Sequence, residues 1–317
     1  MVFEEMHCNC GGKFLGKGLQ NAAPGNDKDC SHSCRAFFAL DNLYPRYPEG
    51  LFLPGTLKRV EYAVGNFSII ADCPTATDAA FFWATKQFDG SPGQRLLEMA
   101  FALAEVRESC GGPLTLILPY ADCSRSNSGN CIRAYLRMLE TLRADLVVLF
   151  DLHGGNYLKH YCANVLQIPT LPFWAKYVSS IRSDIDIVIS PDNGRRECAN
   201  WLARTLNVRS VCMDKRIPYD FTAQPVHNQR AFLFDDEIVS GMTVQNAVRQ
   251  LVLGGISSID IGITYAFCSG DVLEAVAKWP QVRSLTVSDL IWRPSQPPCF
   301  VLPLAQQLLE KISHDIC

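Results

Sequence analysis

From residue 94 onward, short apolar runs alternate with stretches of helical period, and this alternation constrains the fold more than any other feature of the chain. A helix between two strands carries the chain back along the sheet, so successive strands run parallel and the class is α/β. Leu114 to Pro119 and Leu146 to Phe150 read as buried strands. Between them Ile132, Tyr135, Leu136 and Leu139 share one helical face, and in the helix before them Leu96, Leu97, Ala100, Phe101 and Ala104 form the expected buried stripe.

The pattern restarts with a strand at Ile185 to Ile189, a helix bearing Cys198, Trp201, Leu202 and Leu206, and strands near Ser210 to Met213 and Ala231 to Phe234. Val244, Ala247, Val248, Leu251 and Val252 form the next stripe, which Gly254 and Gly255 can end before a strand at Ile259 to Tyr265. The proline-rich stretch from Pro294 to Pro303 leads into a closing helix, Leu304 to Ile312. At 317 residues the chain is long enough for two cores. The expected domains are 1–163, joined by the closing segment 299–317, and 164–298, with Pro169 and Pro172 near the junction.

A net charge of -3 and the lack of a basic run interleaved with aromatics exclude the footprint of a nucleic-acid binder. Met1 to Gly18 mixes acids, glycines and lysines, and no later segment is apolar enough to span a bilayer, so a cytoplasmic protein without a membrane partner is expected. The fourteen cysteines then read as reduced thiols. Cys8, Cys10, Cys30 and Cys34 could hold a tetrahedral zinc, but their spacing matches no standard finger, and a glycine-rich terminal loop is the preferred reading.

Most informative is Phe232-Leu-Phe-Asp-Asp-Glu-Ile-Val-Ser-Gly-Met-Thr243, an apolar strand ending in two acids, then a small-residue turn that opens a helix. Backbone N–H groups of such a turn and of the first helical turn converge on one place and bind phosphate. Ser240 and Thr243 add hydroxyls, Gly241 permits close approach, and Met242 completes the loop. Asp235 and Asp236, at the carboxyl end of the strand, are placed to accept hydrogen bonds from vicinal ribose hydroxyls.

Three further segments stand in a fixed order with this one: Asp151-Leu-His-Gly-Gly155, Ser190-Pro-Asp-Asn-Gly194 and Asp214-Lys-Arg216. Together they resemble the ribose-phosphate pyrophosphokinases, or phosphoribosyl pyrophosphate synthetases, across roughly residues 45 to 310. The resemblance implies two type I phosphoribosyltransferase-like domains, each a mainly parallel sheet flanked by helices. It implies magnesium served by His153 and Asp192, and Lys215 and Arg216 as the catalytic cations before a mobile loop at 217–229. Leu118-Pro-Tyr-Ala121 resembles the strand leading to the nucleotide site, which carries ATP contacts over to Tyr120 and Arg125. A phosphosugar and a nucleotide as small-molecule partners, and a homo-oligomer built on dimers and extending to hexamers, follow from the same resemblance.

The departures gather on the nucleotide side. Asp122-Cys-Ser-Arg125 stands where the family has an Arg-Gln-Asp-Arg type run, one loop cation is replaced by Ile217 or, in a shifted register, by Asp214, and Val239 and Met242 replace an acid and a glycine of the phosphate loop. Three readings stay open. The first is a diphosphotransferase moving the β,γ-diphosphate of ATP to the anomeric hydroxyl of ribose 5-phosphate or of an acceptor such as ADP-ribose. The second is a non-catalytic regulatory paralogue of a synthetase, and the third a phosphoribosyltransferase.

Overall fold

The computed structural model describes residues 35–39, 52–61, 67–72, 78–82, 92–109, 111–121, 129–151, 165–181, 184–214, 225–291 and 299–316. The chain divides into two units, Met1–Ala84 with Gly90–Ile168, and Thr85–Asp89 with Pro169–Cys317. Both are α/β, as the alternation requires.

In the first unit β1 (Arg35–Ala39), β2 (Phe52–Glu61), β3 (Phe67–Asp72) and β4 (Asp78–Phe82) precede α1 (Pro92–Ser109). They are followed by β5 (Leu114–Leu118), α2 (Gly129–Thr141), β6 (Leu146–Phe150) and β7 (Val165–Ile168). The sheet order is β3-β2-β1-β4-β5-β6-β7, with β2 and β3 antiparallel and every other neighbouring pair parallel. Because β7 hydrogen-bonds to β6, this unit runs to Ile168 rather than stopping at 163.

The buried face of α1 is not the expected one. Met99, Ala102, Leu103 and Val106 are buried, at the helical spacing of one stripe, while Leu97 is 47% and Phe101 39% exposed. Leu96 to Val106 is apolar almost all round the helix, so period alone supports two stripes and only contact with the sheet selects between them. Tyr135, Leu136 and Leu139 of α2 are buried as expected. Arg107 of α1 reaches Asp145 at 2.8 Å, and the same carboxylate oxygen accepts the Leu114 N–H at 2.7 Å, pinning the starts of β5 and β6 together.

The second unit comprises α3 (Leu171–Ile181), β8 (Ile187–Ser190), α4 (Arg196–Leu206), β9 (Arg209–Cys212), β10 (Arg230–Ile238) and α5 (Met242–Leu253). It continues with β11 (Ser258–Ala266), α6 (Gly270–Ala277), β12 (Val282–Ser288), β13 (Cys299–Leu302) and α7 (Leu304–Ile316). The sheet order is β13-β12-β11-β10-β8-β9, parallel throughout. The segment from Cys299, expected to join the first half, lies here: Cys299–Leu302 adds to β12 as an edge strand, and α7 follows at once. Asp289, just after β12, accepts the Ala305 N–H at 2.7 Å and so ties off the first turn of α7.

Pleating sends alternate residues to opposite faces of this sheet. Ile187, Ile189, Leu233, Ile261 and Ile263 pack with Val244, Ala247, Val248 and Leu251 of α5. On the other face Trp174 of α3, fully buried, meets the rings of Phe232 and Phe234. Its indole N–H donates to the Thr264 hydroxyl at 3.1 Å. Gly262 is required there, since a Cβ would lie 2.5 Å from the Phe232 ring and 3.0 Å from Trp174. At the amino end of the sheet Arg283 bonds to both Asp184 and Asp260, and Arg230 to Asp184 and Asp186, which closes that rim with charge pairs. The carboxyl end carries the acids of β10.

Candidate functional site

Strands β8 and β10 are parallel neighbours, but β9 intervenes in sequence and lies on the far side of β8, so the order in which strands are added reverses between them. Ligands of open α/β sheets bind in the crevice at such a reversal, outside the carboxyl ends of the strands. Pairing between the two covers Ala231 to Leu233 of β10 only, and β8 ends at Ser190, because Pro191 has no N–H with which to continue the ladder. Strand β10 continues on its β11 side as far as Ile238, so Asp235 and Asp236 lie within the strand rather than after it. Opposite them, the turn that follows β8 fills the space left by the missing strand.

That turn is a single 3-10 turn, Asn193–Arg195, capped by Asp192, whose Oδ1 accepts the Gly194 N–H at 2.8 Å. It delivers Arg195 to β10, where the guanidinium bonds to the carboxylate of Asp236. Only 14% and 15% of the two side chains remain exposed, so the pair is largely withdrawn from water. Asp235 is buried more deeply still, at 7% exposure, and its Oδ1 accepts the Asp236 N–H at 3.0 Å. Burial pushes the Asp235 carboxyl well above the usual carboxylate range, and the negative charges of Asp236 and Asp192 push the same way, against the Arg195 guanidinium.

The loop after the acids faces solvent: Val239 is 42% and Met242 66% exposed, Ser240 is exposed, and Thr243 is partly so. Gly241 is buried with φ +74°, and a Cβ on it would meet Val272 of α6 at 2.5 Å. The close approach that demands glycine is therefore to α6. Left-handed backbone at Gly241 turns the chain directly into α5, whose first N–H groups point out at the loop. The Ser240 hydroxyl accepts the Met242 N–H at 3.5 Å, a long contact.

Asp192 caps the turn whose Arg195 pairs with Asp236, and its charge acts on Asp235. As a carboxylate at a strand exit Asp192 offers the hard oxygen donor that magnesium takes, whereas Asp236 is engaged by Arg195 and does not fit that role. Among the described residues no group of three or more histidine, cysteine or acidic side chains is arranged to hold a metal ion. Tyr120 follows β5 in the first unit and is buried to 9% exposure. Asp151 follows β6 with φ 42°, a left-handed turn at the exit of that strand that aspartate tolerates better than most residues. His153, Arg125, Lys215, Arg216 and Ile217, with Cys8, Cys10, Cys30 and Cys34, lie outside the described residues.

Arg195 is the residue that reading the sequence misses. Its signal was a cation just past Ser190-Pro-Asp-Asn-Gly194, on a turn leaving a strand, but nothing local shows that its partner is Asp236. Among the described residues no helix is long and apolar enough to cross a membrane.

No protein-family model matches the chain. Curated relatives do. A ribose-phosphate pyrophosphokinase of Bacillus caldolyticus is 25% identical over 215 residues, 64% of this chain and 68% of the relative. One of Maricaulis maris is 27% identical over 245 residues, 69% of this chain and 77% of the relative. In fold, the chain matches the crystal structure of phosphoribosylpyrophosphate synthetase from Mycobacterium smegmatis with a TM-score of 0.74, at 21% identity over 89% of this chain and 99% of that one. At this distance in sequence the chain is similar to the ribose-phosphate pyrophosphokinases and shares the fold of a phosphoribosylpyrophosphate synthetase.

Proposed function

We propose that the second unit binds the sugar phosphate of an acceptor, and that the chain transfers diphosphate from ATP to its anomeric hydroxyl with magnesium as cofactor. The observation that carries this reading is the pairing of Asp235 and Asp236 with the exposed loop 239–243 at the strand-order reversal of a parallel sheet. The acids receive the ribose hydroxyls, and the α5 N-terminus, Ser240 and Thr243 receive the phosphate. Asp192 would offer magnesium a carboxylate oxygen, His153 is the imidazole assigned to the same chemistry, and the ion would supply positive charge to offset that of the transferring group. Lys215 and Arg216 stabilise the equatorial oxygens of that group, so catalysis consists of orientation and charge stabilisation. Tyr120 and Arg125 are assigned to the nucleotide. The acceptor is ribose 5-phosphate or a larger relative such as ADP-ribose, and assembly is as a homo-oligomer built on dimers.

A second reading, a non-catalytic paralogue that tunes an active synthetase, draws on the engagement of Asp236 by Arg195. The two separate in one experiment. Incubation of the full chain with ATP, magnesium and each acceptor gives acceptor-dependent AMP under the first reading. No AMP with either acceptor, together with co-purification of an active synthetase, overturns it in favour of the second.

A further inference from the structure

Asp236 is carried by a rigid element and Arg195 by a light one. Strand β10 is paired with β11 through Asp235, Glu237 and Ile238, so the acid cannot shift without breaking that ladder. Arg195 ends a single 3-10 turn in which no residue is fully buried and Asn193 and Gly194 are exposed. Side chains hold the turn in place: Asp192 Oδ1 accepts the Gly194 N–H at 2.8 Å, and Asn193 Nδ2 donates to Asp214 Oδ2 at 2.8 Å. So short an element draws little stability from its own hydrogen bonds. Its guanidinium nevertheless bonds to the Asp236 carboxylate, with only 14% and 15% of the two side chains exposed. A ligand hydroxyl donates to a carboxylate oxygen at about 2.5–3.0 Å. At that range it competes with a charge-assisted donor already in place.

We propose that Arg195 is a displaceable latch, which in the unliganded protein withholds Asp236 from a ligand's hydroxyls until the turn 193–195 withdraws. That the ligand is a sugar phosphate rests on the reading given under Proposed function; the occlusion of Asp236 does not. Val239, Ser240 and Met242 of the phosphate loop are exposed while the latch is closed, so the phosphate is gripped first and the hydroxyls then compete for Asp236. Apparent affinity is lowered by the fraction of molecules whose latch is closed. A phosphate ester without the hydroxyls gains nothing from opening and binds both forms alike.

Two measurements on the full-length protein test the latch. The first needs no ligand: carboxylates are labelled with a water-soluble carbodiimide and glycine ethyl ester and read by mass spectrometry. Labelling tracks the open fraction, so Asp236 should react slowly in the native chain and at least about tenfold faster in Arg195→Gln. The second is calorimetric titration with ribose 5-phosphate and with its 2,3-dideoxy analogue. Arg195→Gln should bind ribose 5-phosphate at least about tenfold more tightly and the analogue no differently. If Arg195 instead positioned Asp236 for the ligand, its loss would weaken ribose 5-phosphate binding, and a merely structural ion pair would lower thermal stability and leave both affinities alone. Asn193→Ala, at an exposed position, releases the turn from Asp214 with the ion pair kept. It should move both readouts the same way by a smaller factor, and it decides the matter should Arg195→Gln fail to fold. Equal labelling of native and variant proteins overturns the latch, as does a ribose 5-phosphate affinity that stays level or falls. Faster labelling with no ribose 5-phosphate binding in any of the proteins supports the occlusion and overturns the sugar assignment instead.

Discussion

Arg195 and Asp236 are paired across a sequence separation of 41 residues, and their contact exists only because β8 stops at Ser190 while β10 continues to Ile238. The longer strand exposes its acids on one edge, and the turn after the shorter strand covers them. The site is therefore a consequence of unequal strand lengths at a reversal of strand order.

Gly262 is the tightest point of the aromatic layer beneath this site. Gly262→Ala would drive a methyl group against Phe232 and Trp174, and overpacking of this kind costs about 1–3 kcal/mol. Urea unfolding should show that loss, while Gly270→Ala, with open space around it in the first turn of α6, should be neutral or slightly stabilising. Equal effects from the two would remove the packing argument.

Gly241 combines a left-handed backbone with contact to Val272. Gly241→Ala should destabilise the chain by about 1–2 kcal/mol from backbone strain alone, with steric conflict adding to it. Calorimetric titration with ribose 5-phosphate should also weaken, because the loop can no longer turn directly into α5. Adding Val272→Ala should recover part of the stability and none of the strain. Recovery of all the lost stability would mean that φ at this residue is unimportant.

Burial raises the Asp289 carboxyl to about 6, above its ordinary value of 3.8, although the N–H groups at the start of α7 hold it down in part. A carboxyl raised by folding favours the native state while protonated, so its contribution is full below the ordinary value and is lost as pH rises through about 6. The loss is on the order of 2–3 kcal/mol. Native melting temperature should therefore fall over that window, and Asp289→Asn, which keeps an acceptor for Ala305, should flatten the curve. Parallel profiles for the two proteins would exclude Asp289 as the source.

Within the proposed reaction, charge on the transferring group and grip on the acceptor should separate in steady-state kinetics. Lys215→Ala should lower kcat by about 100-fold with acceptor binding largely kept, since its charge matters most in the transition state. Ser240→Ala with Thr243→Val should instead raise the acceptor KM. An unchanged kcat in the first variant would take Lys215 out of the mechanism.

Many strands and helices from α1 onward are legible because their signals are local: apolar runs such as Leu146 to Phe150, a 3.6-residue stripe at Val244 to Leu251, and a glycine pair at 254–255, whereas β7, α3 and α6 are not read from the sequence. The same locality exposed the acid pair and its small-residue turn, since strand, acids and helix are contiguous. Strands β1 to β4 are not read from the sequence, being short or interrupted by glycine and proline, as in Phe52–Glu61. Locality also misplaced α1, whose apolar residues allow two stripes until a sheet covers one of them. Likewise Cys299–Leu302 became a strand only because β12 offered it an edge. Neither the order of strands nor the partner of Asp236 leaves a local mark, because both depend on which distant segments compete for the same edge of the sheet. Chain-local chemistry prescribes what each segment can be, and the packing free energy of the assembled sheet chooses which segments meet.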